Sequence, residues 1–212
     1  GLYFVAAVRQ HNYGKFTPRA GGKKGGFHGV VLPDDPLVQD LIAKHGQFKR
    51  LPYSERVEGI EQLQPRELVE TFYLFGWFLT PDWPVPQRAV IAFASKQIRK
   101  FKVLTNACAT HMIADAAGKP LLFNGSPRPY PLWAHRWHFT TVFEENEKGQ
   151  WWGWNIQPAN GSMQNSLLAP NDRIYTDARK LYADYTGGLV DVDNSKRADE
   201  PEEAQDPNAP RM

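Results

Sequence analysis

Short runs of apolar and aromatic residues along the chain have the composition and length of β-strands. Residues 2–8 (LYFVAAV) and 30–32 are the first two runs, and both are rich in β-branched or aromatic side chains. Residues 68–79 (LVETFYLFGWFL) form a denser run, which three prolines follow closely. The aromatic content favours a strand there, although a helix fits the same apolar density. Residues 85–92 then fit the returning strand of a pair.

The clearest strand pair lies in the second half of the chain. Residues 132–143 and 150–156 flank the polar segment EENEKG, whose glycine suits a turn. Side chains alternate between the two faces of a strand. One predicted face of the first strand carries Trp133, His135, Trp137, Phe139 and Phe143, and the other carries Leu132, Ala134, Arg136, His138, Thr140 and Val142.

Three segments have helical spacing of apolar residues and recognisable end signals. The first begins after Asp35, which precedes a proline, and ends near Gly46. The second runs from Ser95, its predicted N-cap, to about residue 112. The third covers residues 171–186 and ends at a glycine pair. Each of these segments is therefore predicted to bury one apolar stripe.

The order of these elements predicts an α+β fold whose strands are mostly antiparallel. An OB-like β-barrel decorated with helices is one natural way to close such strands. We expect a single domain over residues 1–190, with a flexible, glycine-rich basic loop at residues 11–29. Residues 191–212 are rich in Asp, Glu and Pro and poor in apolar residues, so we expect a disordered acidic tail.

Composition and net charge indicate the kind of ligand that this domain would bind. The 212-residue chain has 42% hydrophobic and 13% aromatic residues, one cysteine and a net charge of +2. The single cysteine excludes an intrachain disulfide, and no apolar run is long enough for a transmembrane helix, so we expect a cytoplasmic protein. The tail carries seven acids and three bases, which leaves a net charge of +6 on residues 1–190. A basic, aromatic-rich body is typical of proteins that bind polyanions.

The basic loop is the sharpest candidate binding element. The first 27 residues contain five basic residues and no acid, with aromatic side chains among them. Glycines allow a backbone to lie close to phosphates, cations neutralise the phosphates, and aromatic rings stack on unpaired bases. The loop lacks the spacing of a Walker motif, and a solvated loop without a ligand is the alternative. The predicted contacts are Tyr13, Lys15, Phe16, Arg19, Lys23, Lys24 and Phe27.

A second group of candidates lies on the predicted helix at 95–112 and on the hairpin after it. The helix carries cations that would follow a nucleic-acid backbone, although an ordinary solvated helix face has the same composition. Five of the seven Trp residues lie in the hairpin; we expect most of them in the core and one or two available for base stacking. The predicted contacts here are Arg99, Lys100, Lys102, Arg136, Trp137 and Trp151.

Signals for catalysis are weak. His135 and His138 have H-x-x-H spacing, but on a strand their rings point to opposite faces and cannot chelate one metal ion. Cys108 lies on the apolar side of its predicted helix, where cysteine usually acts as a small hydrophobic residue. We therefore expect a protein without enzymatic activity, with no catalytic residues, no metal and no cofactor.

The chain resembles the single-stranded DNA-binding proteins of phage replication and recombination modules. The resemblance covers residues 65–212 and rests on the paired strands near 85–93, then SKQIRKFKVLTN, LWAHRWHFTTVFEENEKGQWWGW, NDRIYTDARKLYADYTGG and an acidic end. It implies an OB-like core that coats single strands with little sequence preference. The chain departs from the best-known phage pattern at its last residues, Pro-Arg-Met, which include no terminal aromatic residue.

These observations lead to one hypothesis and two alternatives. We expect a protein that coats or protects single-stranded DNA during replication or recombination, in the host cytoplasm, with RNA as another candidate ligand and homo-oligomers as a candidate assembly. Its acidic tail would compete for the basic surface or dock replication and recombination proteins. The first alternative is a viral accessory protein that binds and inhibits a host enzyme through the aromatic hairpin. The second is a nuclease or nucleotide-modifying enzyme, which a requirement for divalent metal and turnover of labelled DNA would reveal.

Overall fold

The computed structural model describes residues 1–18, 26–47, 50–80, 83–147 and 149–190. The acidic tail predicted at residues 191–212 lies outside the described residues. The described strands are β1 (Leu2–Phe16), β2 (Phe27–Val31), β3 (Arg50–Glu55), β4 (Gln64–Thr80), β5 (Trp83–Ala94), β6 (Leu122–Phe123), β7 (Ser126–Pro127), β8 (Arg136–Asn146) and β9 (Gly149–Pro158). The described α-helices are α1 (Pro36–His45), α2 (Ile98–Thr110) and α3 (Arg173–Thr186).

Two long antiparallel strands, β1 and β4, form the centre of a seven-stranded sheet. They pair from Tyr3 opposite Leu79 to Phe16 opposite Glu67. β3 and β5 both pair with the outer side of β4, one after the other along its length. β2 and β8 pair in the same manner with β1, and β9 pairs with β8. One end of the sheet therefore has the order β5-β4-β1-β8-β9, and the other has β3-β4-β1-β2.

The predicted strand at 68–79 is confirmed as part of β4, and the predicted return at 85–92 as part of β5. The predicted loop at 11–29 is partly wrong, because β1 continues to Phe16 and β2 begins at Phe27. The reason is that β4 offers a pairing partner along the whole of β1, which holds even Gly14 in the ladder opposite Val69. Tertiary pairing thus overrides the local preference of a glycine-containing segment.

Gly76 allows the two central strands to approach at an irregular point of their ladder. The register shifts between Ala6 and Val8, and Gly76 lies opposite Ala6. A Cβ atom on Gly76 would stand 1.9 Å from the carbonyl oxygen of Val5. Any other residue would therefore force the central strands apart.

Helices cover both faces of the sheet. Adjacent residues of β1 alternate between two buried clusters, so the clusters lie on opposite faces. One cluster packs against α2 and contains Phe4, Ala6, Leu74, Ile91, Phe93, Trp137 and Phe139. The other packs against α3 and contains Val5, Ala7, Val8, Tyr73, Phe75 and Trp77. A third cluster joins α1 to Tyr13, Leu51 and Leu68 at the other end of the sheet.

The mixed α+β class with antiparallel strands is confirmed, but the OB-like barrel is not, because the sheet does not close. The outer side of β9 has no strand partner among the described residues. Beside it lie the 3₁₀ turn Ser95–Gln97 and the start of α2, where Gln97 Oε1 accepts a hydrogen bond from the backbone N–H of Trp154 at 3.2 Å. Helical residues thus lie where a closing strand would pair.

The N-terminus of α1 follows its predicted signal, whereas the N-cap predicted for the second helix does not. The Asp35 carboxylate accepts a hydrogen bond from the Leu37 N–H at 2.9 Å and caps α1. Asp172 caps α3 in the same way through the N–H of Ile174. The N-cap role predicted for Ser95 is wrong, because this residue has φ 53° and starts the 3₁₀ turn without a side-chain cap.

Candidate functional site

The start of α2 presents an exposed positive surface. The segment from Ser95 to Thr110 carries four cations and no acid. The apolar side of α2 packs in the core, so its orientation is fixed and the polar side faces outward. Arg99 and Lys102 are exposed. No carboxylate of a described residue lies within ion-pair distance of either. Their charge therefore remains available to a polyanion.

Contacts with the β8–β9 hairpin hold this end of α2 in place. Lys100 forms an ion pair with Glu144 on β8. The second carboxylate oxygen of Glu144 accepts a hydrogen bond from Trp151 Nε1 at 2.8 Å. Lys96 Nζ lies 3.7 Å from the ring centroid of Trp151, a cation–π contact. The hydrogen bond from Lys100 lowers the pKa of Glu144. The hydrogen bond from Trp151 and the positive charge of Lys96 lower the same pKa further. The carboxylate is therefore ionised and orients both partners.

Trp151 and Trp152 have different surroundings, although they are adjacent in the chain. Adjacent side chains of a strand point to opposite faces. Trp151 contacts Lys96 and Glu144, whereas the ring of Trp152 contacts that of Phe143 at a centroid distance of 5.4 Å. Trp152 is 69% exposed and Phe143 is 48% exposed. Sequence reasoning placed Phe143 on the same face as Trp137 and Phe139, and left open whether Trp151 or Trp152 points away from the core. The exposure of Phe143 and Trp152 depends on what packs over the end of the hairpin, and the strand pattern does not contain that information.

Two predicted stacking residues are corrected by their burial. Trp137 is 2% exposed and lies in the cluster beneath α2, so it offers no ring face to a base. Tyr13 is 5% exposed and packs against α1, and burial raises the pKa of its hydroxyl. Arg136 lies at the base of the hairpin, with its guanidinium carbon 5.2 Å from the ring centroid of Tyr3. Arg136 is thus apart from the α2–hairpin contact, which includes Trp151 and Lys100.

The rest of the predicted basic loop is divided by the structure. Lys15 and Phe16 end β1 and Phe27 begins β2, and the two phenyl rings lie 5.4 Å apart between centroids. Arg19, Lys23 and Lys24 lie outside the described residues. The structure therefore brings together a phenylalanine pair and a nearby lysine at this end of the sheet.

A polar network surrounds the loop end of the β1–β2 hairpin, where the connection between the two strands begins. The buried Arg66 donates hydrogen bonds to Glu55 Oε1 at 2.7 Å and to Thr17 Oγ1 at 3.1 Å. Thr17 Oγ1 also lies 2.7 Å from His28 Nε2, and the Thr17 N–H donates to the Gly26 carbonyl at 2.8 Å. Sequence reasoning missed this network, because its members lie on β3, β4 and both sides of the connection.

The histidines of the predicted H-x-x-H pair do not form a metal site. His135 is fully buried, and its Nδ1 lies 2.9 Å from Ser166 Oγ. Burial, and then the nearby His111, lowers the pKa of His135 to about 4, so the ring is neutral at physiological pH. His138 is on the opposite face, where its ring lies 5.1 Å from that of Tyr3. Within the described part of the chain, no group of three His, Cys, Asp or Glu side chains is placed to hold a metal ion.

The described helices are also informative about membranes, since none of them is long and apolar enough to span a bilayer. The fold and this surface define an α+β protein with a cationic, acid-free helix beside an aromatic hairpin.

Residues 1–191 of the chain match the family described as Pam3 phage gp34-like protein. The chain belongs to this family, and it is a phage protein. The phage part of the predicted resemblance is thereby confirmed, while single-stranded DNA binding stays a prediction. No curated protein matches the chain. No solved structure matches it either.

Proposed function

We propose that this phage protein binds single-stranded DNA with little sequence preference and protects it during replication or recombination. The observation that carries the proposal is the acid-free start of α2. Arg99 and Lys102 are exposed there, directly after the Lys96 that covers Trp151. Cations that meet phosphates beside an aromatic ring that stacks on a base are the elements of non-specific single-strand binding.

The contact between Lys96 and Trp151 suggests how a base would enter. The ammonium group occupies one face of the indole ring, at 3.7 Å from its centroid. A base that stacks on this face would displace the ammonium group, which would then pair with a neighbouring phosphate. The hydrogen bond to Glu144 would keep the indole ring in its orientation during the exchange. Duplex DNA buries its base faces, so the same step favours single strands.

A second contact would form at the β1–β2 hairpin. Lys15 is suited to a phosphate, and the Phe16–Phe27 ring pair is suited to a base. Arg66 and Thr17 support the loop end of this hairpin through their hydrogen bond. The strand would thus meet two separate contacts on one domain. In this proposal residues 191–212 compete for the cations or dock replication and recombination proteins in the host cytoplasm.

The proposal is tested by titrating intrinsic Trp fluorescence with an oligo-dT strand at low and high salt. We expect quenching that weakens steeply with salt and is smaller with duplex DNA. The double variant Arg99→Ala/Lys102→Ala should bind roughly tenfold more weakly at low salt, and its log–log salt slope should fall by about 1.4, because each phosphate contact on a single strand contributes about 0.7.

The matched control for this test is the double variant Arg56→Ala/Arg179→Ala. It removes the same charge from two other exposed positions, one of them on α3. We expect this control to bind nearly as well as the wild-type chain. If both double variants bind equally weakly, the effect comes from net charge and not from the position of the two cations. If the wild-type chain does not bind oligo-dT even at low salt, the proposal is wrong.

The exposed pair Trp152–Phe143 favours a second candidate function, which is binding to a host enzyme through the hairpin. In that case the chain would not bind bare oligonucleotides. A purified host enzyme would instead form a complex that resists nuclease and is lost in Trp152→Ala. Salt-sensitive binding to oligo-dT by the same preparation would decide for the first function.

A further inference from the structure

Residues 111–130, which we call the arm, form a second exposed surface that the proposed function does not use. The arm follows α2 directly, and every residue from 115 to 128 is exposed. Its fold depends on its own backbone: the Tyr130 N–H donates to the His111 carbonyl at 2.9 Å, and the Leu121 N–H donates to the Ile113 carbonyl at 2.8 Å. The arm is therefore an ordered projection with little packing against the sheet.

The end of the arm is apolar. β6 and β7 pair through a two-residue turn in which Asn124 has φ 52° and Gly125 has φ 79°, the signs expected of a tight hairpin turn. This turn presents Leu121, Leu122 and Phe123, which are 42%, 66% and 44% exposed. Three consecutive exposed apolar side chains on an ordered hairpin are typical of a protein interaction site.

The exposed pair Phe143–Trp152, which we call the hairpin tip, is another exposed apolar surface among the described residues. The tip and the arm lie at opposite ends of α2. Lys100, near the helix start, contacts the hairpin through Glu144, whereas the arm begins at His111, directly after the last residue of α2. α2 has 13 residues and is therefore about 20 Å long. Both surfaces are exposed, so neither covers the other within one molecule.

Charge around the two surfaces is complementary. Lys119 and Arg128 are exposed on the arm, and so is Asp115, whose Oδ1 accepts hydrogen bonds from two backbone N–H groups of its own turn. These three side chains leave the arm with one net positive charge. Glu145 and Glu147 are exposed near the hairpin tip, and neither forms an ion pair within the described part of the chain. A positively charged apolar surface would thus meet a negatively charged one.

We propose that the arm of one copy binds the hairpin tip of a second copy, so that the protein associates head to tail. Such a contact joins two different surfaces, so an open row of any length has one free arm at one end and one free tip at the other. Open rows or closed rings follow from that geometry. The contact is small, so the association should depend strongly on concentration. One consequence rests on the proposed function: a row would present Arg99 and Lys102 of successive copies to one strand of DNA.

The test uses the full chain without nucleic acid, so its failure is separate from a failure of DNA binding. Sedimentation velocity is measured from about 1 µM to about 300 µM, where small interfaces associate. We expect the wild-type sedimentation coefficient to rise through the range beyond that of a dimer. Leu122→Glu, which removes the arm surface, and Trp152→Ser, which removes the tip, should each associate at least tenfold more weakly.

Mixing the two variants tests the head-to-tail geometry directly. Leu122→Glu keeps an intact tip, and Trp152→Ser keeps an intact arm. The mixture should therefore form 1:1 dimers that do not grow further. Leu63→Glu is the matched control, because Leu63 is 61% exposed and lies outside both surfaces. It should associate like the wild-type chain.

Three results would overturn the inference. If the wild-type chain stays monomeric throughout the range, the two surfaces belong to a different protein partner. Wild-type association of either single variant would show that its surface is not part of the contact. If the mixed variants do not form dimers, the contact is not between arm and tip.

Discussion

The root and the tip of the β8–β9 hairpin carry aromatic residues in one alternating pattern but place them in opposite environments. At the root, Trp137 is almost fully buried and packs with Phe4 and Phe139 beneath α2. At the tip, Trp152 is mostly exposed and contacts the ring of Phe143. The difference shows that the strand pattern determines which side chains share a face. The layer above that face determines whether they are core or surface.

The largest expected effect separates root from tip by stability. Trp137→Ala removes a buried indole from a packed cluster and should lower the free energy of unfolding by about 3–5 kcal/mol. Trp152→Ala removes an exposed indole and should change it by no more than about 0.5 kcal/mol. Urea unfolding of both variants at low protein concentration measures the difference. Similar losses in the two variants would contradict the contrast.

The second effect is a pH dependence of the unfolding free energy, which comes from the root of the β8–β9 hairpin. The pKa of the buried His135 is about 4 in the folded chain and about 6.5 in the unfolded chain. The unfolded chain therefore binds a proton between these values that the folded chain does not, and stability falls as pH falls from 6.5 towards 4. The loss should be roughly 3 kcal/mol over the full interval.

His135→Phe tests this dependence, because it keeps a ring at the position and removes the titrating group. The slope of the unfolding free energy between pH 6.5 and pH 5 should flatten in this variant, whatever its stability at neutral pH. The same slope in variant and wild type would assign the dependence to other groups.

The smallest effect concerns the tip. Lys100→Met removes the ion pair that lowers the pKa of Glu144. A lowered carboxyl pKa contributes stability above the ordinary Glu range, which is lost as pH falls through the folded pKa. The melting temperature of the variant should therefore lie slightly below that of the wild type at neutral pH and converge with it in acid.

The control for the tip is Lys180→Met, which removes an exposed pair with Asp184 on α3. A single surface pair within a helix contributes little, so this variant should melt like the wild type. An equal loss in the two lysine variants would mean that the Lys100 contact holds the hairpin no better than a surface pair.

Much of the fold could be predicted from the sequence, because local signals and tertiary contacts agree there. The dense run at 68–79 became part of a central strand, and Asp35 caps α1 as its place before a proline predicts. The segment at 11–16 could not be predicted, because its strand character comes from pairing with β4. Barrel closure also depends on long-range geometry, and here α2 lies beside β9 instead.

Only the residue types of the candidate site could be predicted from the sequence, and their contacts could not. The cations of α2 were identified because they crowd the polar faces of a predicted amphipathic helix. The fate of each tryptophan was not predictable, since Trp137, Trp151 and Trp152 differ in what covers them and not in sequence pattern. The contact from Lys96 to Trp151 joins segments 55 residues apart and has no local signal.

The most direct test of the account is photo-cross-linking with an oligo-dT strand that contains bromodeoxyuridine, followed by mass-spectrometric location of the adducts. The account predicts adducts at Trp151 in preference to the adjacent Trp152, because the Trp151 ring lies against Lys96, which immediately precedes the cations of α2. Adducts that favour Trp152 or fall on α3, or their complete absence, would contradict it.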